Sequence, residues 1–247
     1  MKFDNISSNQ KINQWIRNSI AECRHSYPIL EKANIAFDIG ANIGGFCVHA
    51  NEHFNKIYAF EPMLENFRIA ESLIDKMNLY NVELYNTALY SKSGLVIDLY
   101  GNFNNPITGD ITLIPDAKIL SKKAKYNKID QTCETISLKD AMEALGIELI
   151  DYLKLDCEGS EYAILENFND YEKIKMICIE IHDFFGIERK INLIKKMESF
   201  YNIIDLNNMR EWKEGNLAEA IAIEKRNVNN YEKSNNFLMV SKTHYEV

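Results

Sequence analysis

At 247 residues, with 46% hydrophobic residues and a formal net charge of −8, the chain can bury one sizeable core and is too acidic for a broad nucleic-acid footprint. No apolar run approaches the roughly 20 residues of a membrane span, and the N-terminus lacks the pattern of a secretory signal, so a soluble cytoplasmic protein is expected. Cys23, Cys47, Cys133, Cys157 and Cys178 are odd in number and form no C-x-x-C pair, which suggests neither a disulfide framework nor a zinc knuckle.

Residues 1–33 read as an N-terminal helical appendage. Ile12, Ile16 and Ile20 stand at helical spacing with Trp15 beside them, Pro28 ends the helix, and it either packs on the sheet or closes over the pocket. Residues 34–247 read as one domain. Ile35 to Ile39 form a short buried strand, after which Ile43, Cys47, Ala50 and Phe54 take up helical spacing.

Between them lies Gly40-Ala41-Asn42-Ile43-Gly44, a strand-to-helix turn that brings backbone close to a ligand. In the dinucleotide fingerprint G-x-G-x-x-G the second glycine lets a pyrophosphate lie against the chain, and here that position is Asn42. Asp38 is expected to add a negative charge facing the same crevice. A carboxylate there suits a cationic amine better than two phosphates, which points to S-adenosylmethionine, a ligand with an ammonium, a sulfonium and no phosphate. A second strand, Lys56 to Phe60, ends in Glu61, about 20 residues past the first glycine, where an acid can accept from ribose hydroxyls. Pro62 is expected in the first turn of a helix whose apolar face is Met63, Phe67, Ala70, Ile74 and Met77. Val82 to Tyr85 give a third strand, and Asn86 and Thr87 at its end either lie near the adenine or form a simple turn.

Residues 89–132 break the strand-helix alternation and read as a substrate-specificity insertion. Leu95 to Tyr100 resemble a strand, and Asp110 to Ile114 pair back as a hairpin. Lys118, Lys122, Lys123, Lys125 and Lys128 either meet a phosphate or acidic sugar or form a solvated basic face. Ile136 to Leu145 are expected as a helix ending at Gly146. Ile150 to Leu155 form a buried strand with Asp156 and Glu158 at its carboxyl end, and a helix carrying Tyr162, Leu165 and Phe168 begins after Gly159. Such crowding of carboxylates at a helix start is hard to explain by packing. Lys175 to Ile181 form the next strand, with Glu180 and His182 at its end, before a helix carrying Ile187, Ile191 and Ile194. Tyr201 to Leu206 and Asn236 to Val240 supply the last strands, joined by a polar connection containing Trp212 that is either a pocket wall or a surface loop. His25, His49 and His53 show no metal-ligand partners at useful spacing.

Taken together, Phe37-Asp38-Ile39-Gly40-Ala41-Asn42-Ile43-Gly44, Tyr58-Ala59-Phe60-Glu61-Pro62, Asp151 to Glu161 and Glu180-Ile181-His182 resemble the FkbM-type family of S-adenosylmethionine-dependent methyltransferases. The resemblance implies an α/β, Rossmann-like class I methyltransferase fold: a seven-stranded, mostly parallel sheet with an antiparallel last strand and helices on both faces. It implies O-methylation of a hydroxyl, of a sugar or glycoconjugate, or alternatively of a polyketide or other small alcohol. Carried onto this sequence, Gly40, Asn42 and Gly44 would line the methionine part of the cofactor, Asp38 would help hold that site, and Glu61 would bind ribose. Lys154, Asp156, Glu158 and Gly159 would stand beside the reacting centre.

Attack by an alcohol needs a base, and His182 is the leading candidate by its intrinsic pKa, with Asp156 or Glu158 as the alternatives. Asp156, Glu158 and His182 also form a donor set for a divalent metal, the less favoured reading. The expected partner is a small-molecule or saccharide hydroxyl acceptor, with no nucleic acid and no membrane span. A nicotinamide-dependent dehydrogenase and a non-catalytic nucleoside-binding module are the rival readings, and Asn42 counts against the first.

Overall fold

The structure is a computed structural model and describes residues 7–101, 111–113, 127–206 and 234–245. Lys118, Lys122, Lys123, Lys125 and Trp212 therefore lie outside the described residues. Seven strands form the main sheet: β1 (Ala33–Ile39), β2 (Phe54–Phe60), β3 (Val82–Tyr85), β8 (Ile150–Leu155), β9 (Ile174–Glu180), β10 (Tyr201–Asp205) and β11 (Asn236–Ser241). Their order is β10-β11-β9-β8-β1-β2-β3. All neighbours are parallel except β11, which runs antiparallel to β9 and β10, so the last strand is reversed as expected.

The two-residue period of the strands sorts their side chains between two helical layers. Phe37, Ile39, Leu153 and Leu155 face α4 (Leu138–Leu145), α5 (Glu161–Asn167) and α6 (Ile187–Met197). Ala36, Ala59 and Tyr152 face the other way, toward Cys23 of α1 (Gln10–Ser26) and Phe46 and Cys47 of α2 (Gly45–Ala50). Ile16 and Ile20 of α1 share a cluster with Val48 of α2 and Leu73 of α3 (Leu64–Met77), so the N-terminal helix packs within this layer. Trp15 packs against the same cluster, the part of a core anchor.

Four of the sequence-derived boundaries shift, each for a local reason. The helical spacing toward Phe54 breaks because α2 stops at Ala50, and Phe54 pairs with Ala33 at the start of β2. Pro62 lies before the α3 N-cap, Met63, rather than in the first turn. The buried stripe of α3 centres on Asn66, Ala70 and Leu73, leaving Phe67 and Ile74 half-buried. Ile136 ends a strand, and α4 begins at Leu138 because the Ser137 hydroxyl caps it by accepting from Asp140 N.

The insertion forms a second sheet in the order β4-β7-β5-β6, made of β4 (Ala88–Tyr90), β5 (Val96–Gly101), β6 (Ile111–Thr112) and β7 (Asn127–Ser137). β6 pairs antiparallel with β5, which is the expected hairpin. Lys128 pairs with Asp98 across β7 and β5 at 2.8 Å.

At the centre of the main sheet, Asp38 of β1 and Lys154 of β8 are register neighbours. Both point to the α1/α2 side, at 0% and 3% exposure, and Lys154 Nζ lies 3.1 Å from Asp38 Oδ1. The same ammonium donates to Gly40 O at 2.6 Å. Burial would drive the Lys154 proton off, but Asp38 and Asp156 outweigh it and raise the group above the ordinary lysine value. Lys154→Met leaves Asp38 charged and uncompensated, and is expected to cost about 3–5 kcal/mol in urea denaturation. Pairing it with Asp38→Leu should recover most of that loss, since well-packed apolar side chains replace buried pairs at little net cost.

Candidate active site

The carboxyl ends of β1, β2 and β8 surround one cleft of about 590 Å³, counted to its open mouth. Its floor is the turn after β1. Gly40 has φ of +78°, and a Cβ there would stand 1.9 Å from the backbone oxygen of Asp156, so only glycine lets β1 and β8 end side by side. Asn42 follows at φ +50°, a left-handed conformation that asparagine tolerates, and its buried Oδ1 has no hydrogen-bond partner.

Glu61 shapes the next wall. Its Oε2 accepts from Asn42 N at 2.8 Å and its Oε1 from Met63 N at 2.9 Å, so one side chain fixes both the β1 turn and the start of α3. Burial to 4% exposure pushes the carboxyl up to about 7, against the pull of these N–H groups and of Lys154. Each carboxylate oxygen keeps a further lone pair for a ligand hydroxyl.

Asn86 and Thr87 take different positions. The Asn86 amide donates to the carbonyls of Glu61 and Pro62, at 2.9 and 3.0 Å, and braces the β2–α3 connection. Thr87 lines the cleft, with its hydroxyl donating to Glu134 O. Beside it Ala88, Leu89, Ile111 and Leu113 give the cleft an apolar wall. Two of these come from β6 and the residue after it, so the described part of the insertion borders this cleft.

Asp38 departs from its expected position. Strand alternation turns it away from the crevice, into the buried pair with Lys154 and toward Cys47, and it is not among the residues lining the cleft. Lys154 likewise lies beneath the floor, with its donors directed at Asp38 and the carbonyl of Gly40.

The far end of the cleft is the turn after β8. Asp156 accepts from the Tyr27 hydroxyl at 2.6 Å, a contact from the N-terminal segment that no motif announces. Cys157 is half-buried in the wall rather than a core residue, and burial keeps its thiol protonated. Glu158 adopts φ of +51°, and its carbonyl accepts from Thr112 of β6 at 2.6 Å, which fastens the second sheet to this turn. Ser160, buried with an unpartnered hydroxyl, also lines the cleft.

His182 stands behind Glu158, its Nε2 3.3 Å from Glu158 Oε2 and its Nδ1 3.1 Å from Glu161 Oε1. Burial would lower the imidazole, but Glu161, Glu158 and Asp156 outweigh it and hold it well above its ordinary value. The surrounding carboxylates favour the charged form of the ring over the free base. Asp156, Glu158 and His182 present donor atoms within 4.8 Å of one another, a donor set that could hold a divalent ion. Two carboxylates face this one imidazole, so even a charged ring leaves the cluster net negative.

Among the described residues, no helix is long and apolar enough to cross a membrane. The methyltransferase FkbM domain model matches residues 38–213. Methyltransferase sdnD of Sordaria araneosa is 26% identical over 204 residues, which cover 71% of this chain and 78% of that protein. An rRNA methylase from Streptococcus thermophilus is similar in structure at a TM-score of 0.41 and 11% identity, covering 95% of this chain and 97% of that one. Aeropyrum pernix fibrillarin, solved with natively bound S-adenosyl-L-methionine, gives a TM-score of 0.41 and 11% identity, covering 91% and 74%. Structural likenesses at that level carry no functional weight. The family match covers most of the chain and includes the turn, Glu61 and the Asp156–His182 cluster: this protein belongs to the FkbM methyltransferase domain family.

Proposed function

We propose that this methyltransferase uses S-adenosylmethionine to methylate a hydroxyl oxygen, with a sugar or glycoconjugate as acceptor. The observation that carries the reading is Glu61, a buried carboxylate in the cleft wall, oriented from behind by Asn42 N and Met63 N. It is the group a ribose diol needs. The apolar wall of Ala88, Leu89, Ile111 and Leu113 suits a purine ring, and the unpartnered Asn42 Oδ1 and the nearby Asp156 suit a cationic amino-acid tail. Membership of a methyltransferase family sets the dehydrogenase and the non-catalytic module aside.

When bound, the cofactor supplies an electrophilic methyl carbon on sulfur. Glu61 and Asn42 would hold it, and sulfur would be the leaving group, keeping the electron pair of the broken carbon–sulfur bond, as the acceptor oxygen gains the methyl. The chain's part is to hold the acceptor oxygen on the axis and to take its proton. Glu158, in the cleft wall, is the base in this proposal. His182 orients it, and Asp156, held by Tyr27, steadies the positive charge. The sugar acceptor rests on the family resemblance alone.

Two outcomes are expected. Ribose hydroxyls donate to ionised Glu61, and below about 7 that carboxyl holds a proton which binding must release. Affinity for S-adenosylhomocysteine should therefore be level above pH 8 and weaken as pH falls through 7; calorimetry showing equal affinity at pH 6 and pH 8 would refute the role. In a mass-spectrometric screen of sugars, glycoconjugates and amines, only hydroxyl-bearing acceptors should gain a methyl group. With such an acceptor, Glu158→Gln should lower kcat by about 10²–10⁴-fold. Its affinity for S-adenosylhomocysteine should change little, and full turnover would remove Glu158 from the mechanism.

A further inference from the structure

Asn66 lies in the first turn of α3 and is 1% exposed, yet it lines the cleft. It opens the buried stripe of that helix, in which the next two positions, at helical spacing, are Ala70 and Leu73. A purely packing role would favour an apolar side chain here as well. Instead the position carries an amide whose Oδ1 has no hydrogen-bond partner among the described residues. Buried polar atoms are nearly always paired, and an amide oxygen only accepts, so the missing partner is a donor.

The position of that donor follows from Glu61. Glu61 Oε1 accepts from the backbone N–H of Met63, and Met63 is the N-cap of the helix whose first turn presents Asn66. The carboxylate and the amide therefore flank one helix end, on one wall of one cleft. The purine-suited residues Ala88, Leu89, Ile111 and Leu113 come from the second sheet and its flank.

Resting on the cofactor reading above, we propose that Asn66 Oδ1 accepts a hydrogen bond from a ribose hydroxyl of S-adenosylmethionine. The sugar is then held by two acceptors, Glu61 and Asn66. Because the amide oxygen is unpaired until the sugar arrives, Asn66 favours the loaded protein at the expense of the empty one.

The test is calorimetry of the full chain and its variants with S-adenosylhomocysteine, its 2′-deoxy and 3′-deoxy ribose analogues, and an analogue lacking the 6-amino group of the purine. Asn66→Ala should weaken S-adenosylhomocysteine by about three- to tenfold, the worth of one hydrogen bond. It should cost almost nothing further for one of the two deoxy analogues, because the hydroxyl it serves is already missing. Asn66→Asp, which keeps an acceptor, should retain most of the affinity. Asn66→Leu, close in volume, should lose affinity like alanine without lowering the melting temperature of the empty protein, and it replaces Asn66→Ala should that variant not fold. Equal losses on both deoxy analogues, with no loss on the analogue lacking the amine, would move the contact to adenine and overturn the proposal. Unchanged affinity in Asn66→Ala and Asn66→Leu would overturn it as well. Wild-type protein that binds no sulfur nucleoside would instead overturn the cofactor reading itself, and this assignment with it.

Discussion

The buried contact between Lys154 and Asp38 is the constraint on which the site depends. The two residues are neighbours across the central strand pair, and the lysine also holds the carbonyl of Gly40, where β1 leaves the sheet. Taking both charges out of water is costly, and a pair in this position contributes less to net stability than to the choice of one arrangement. In that arrangement Gly40 lies against the Asp156 carbonyl and Asp156 N donates to Ile39 O, which joins the turn after β1 to the turn after β8. Asp38 thus supports the backbone of the cleft floor through Lys154 and does not itself line the cleft.

From this fixed floor the rest of the cleft is built by shared hydrogen bonds. Glu61 joins the β1 turn to the α3 start, Asn86 braces the connection between β2 and α3, and Thr112 fastens the second sheet to Glu158. The lining combines acids (Glu61, Asp156, Glu158), neutral polar groups (Asn42, Asn66, Thr87, Ser160) and an apolar wall. At the acidic end Glu158 and Glu161 both flank His182, two carboxylates to one imidazole. A single base with a free lone pair is therefore the wrong picture of His182; the proton it carries belongs to the whole cluster.

Most of the main sheet was legible because its strands are short apolar runs that end in glycine or acidic residues, and the turn at Gly40 declares itself by composition. The direction of Asp38 was not, since a strand's alternation says which residues share a face but not which face meets the ligand. β7 was missed because its inward positions, Cys133 and Thr135, are not strongly apolar, so the alternation is faint until β5 is laid against it. Ile136 looked helical for the same reason: its neighbours toward Leu145 are, and only the Ser137 cap marks the break. Asn66 was silent because a lone polar side chain in an apolar stripe stands out only once its burial and missing partner are known, and Tyr27 because its partner, Asp156, lies 129 residues away in the chain.

The contact between Tyr27 and Asp156 ties the fate of the site to a segment that lies before the matched family region, which starts at residue 38. Evolution can therefore adjust the reacting end of this enzyme without altering a single signature residue. Drift in the first thirty residues changes what leans on Asp156, and two relatives with identical motifs need not share a polarity there.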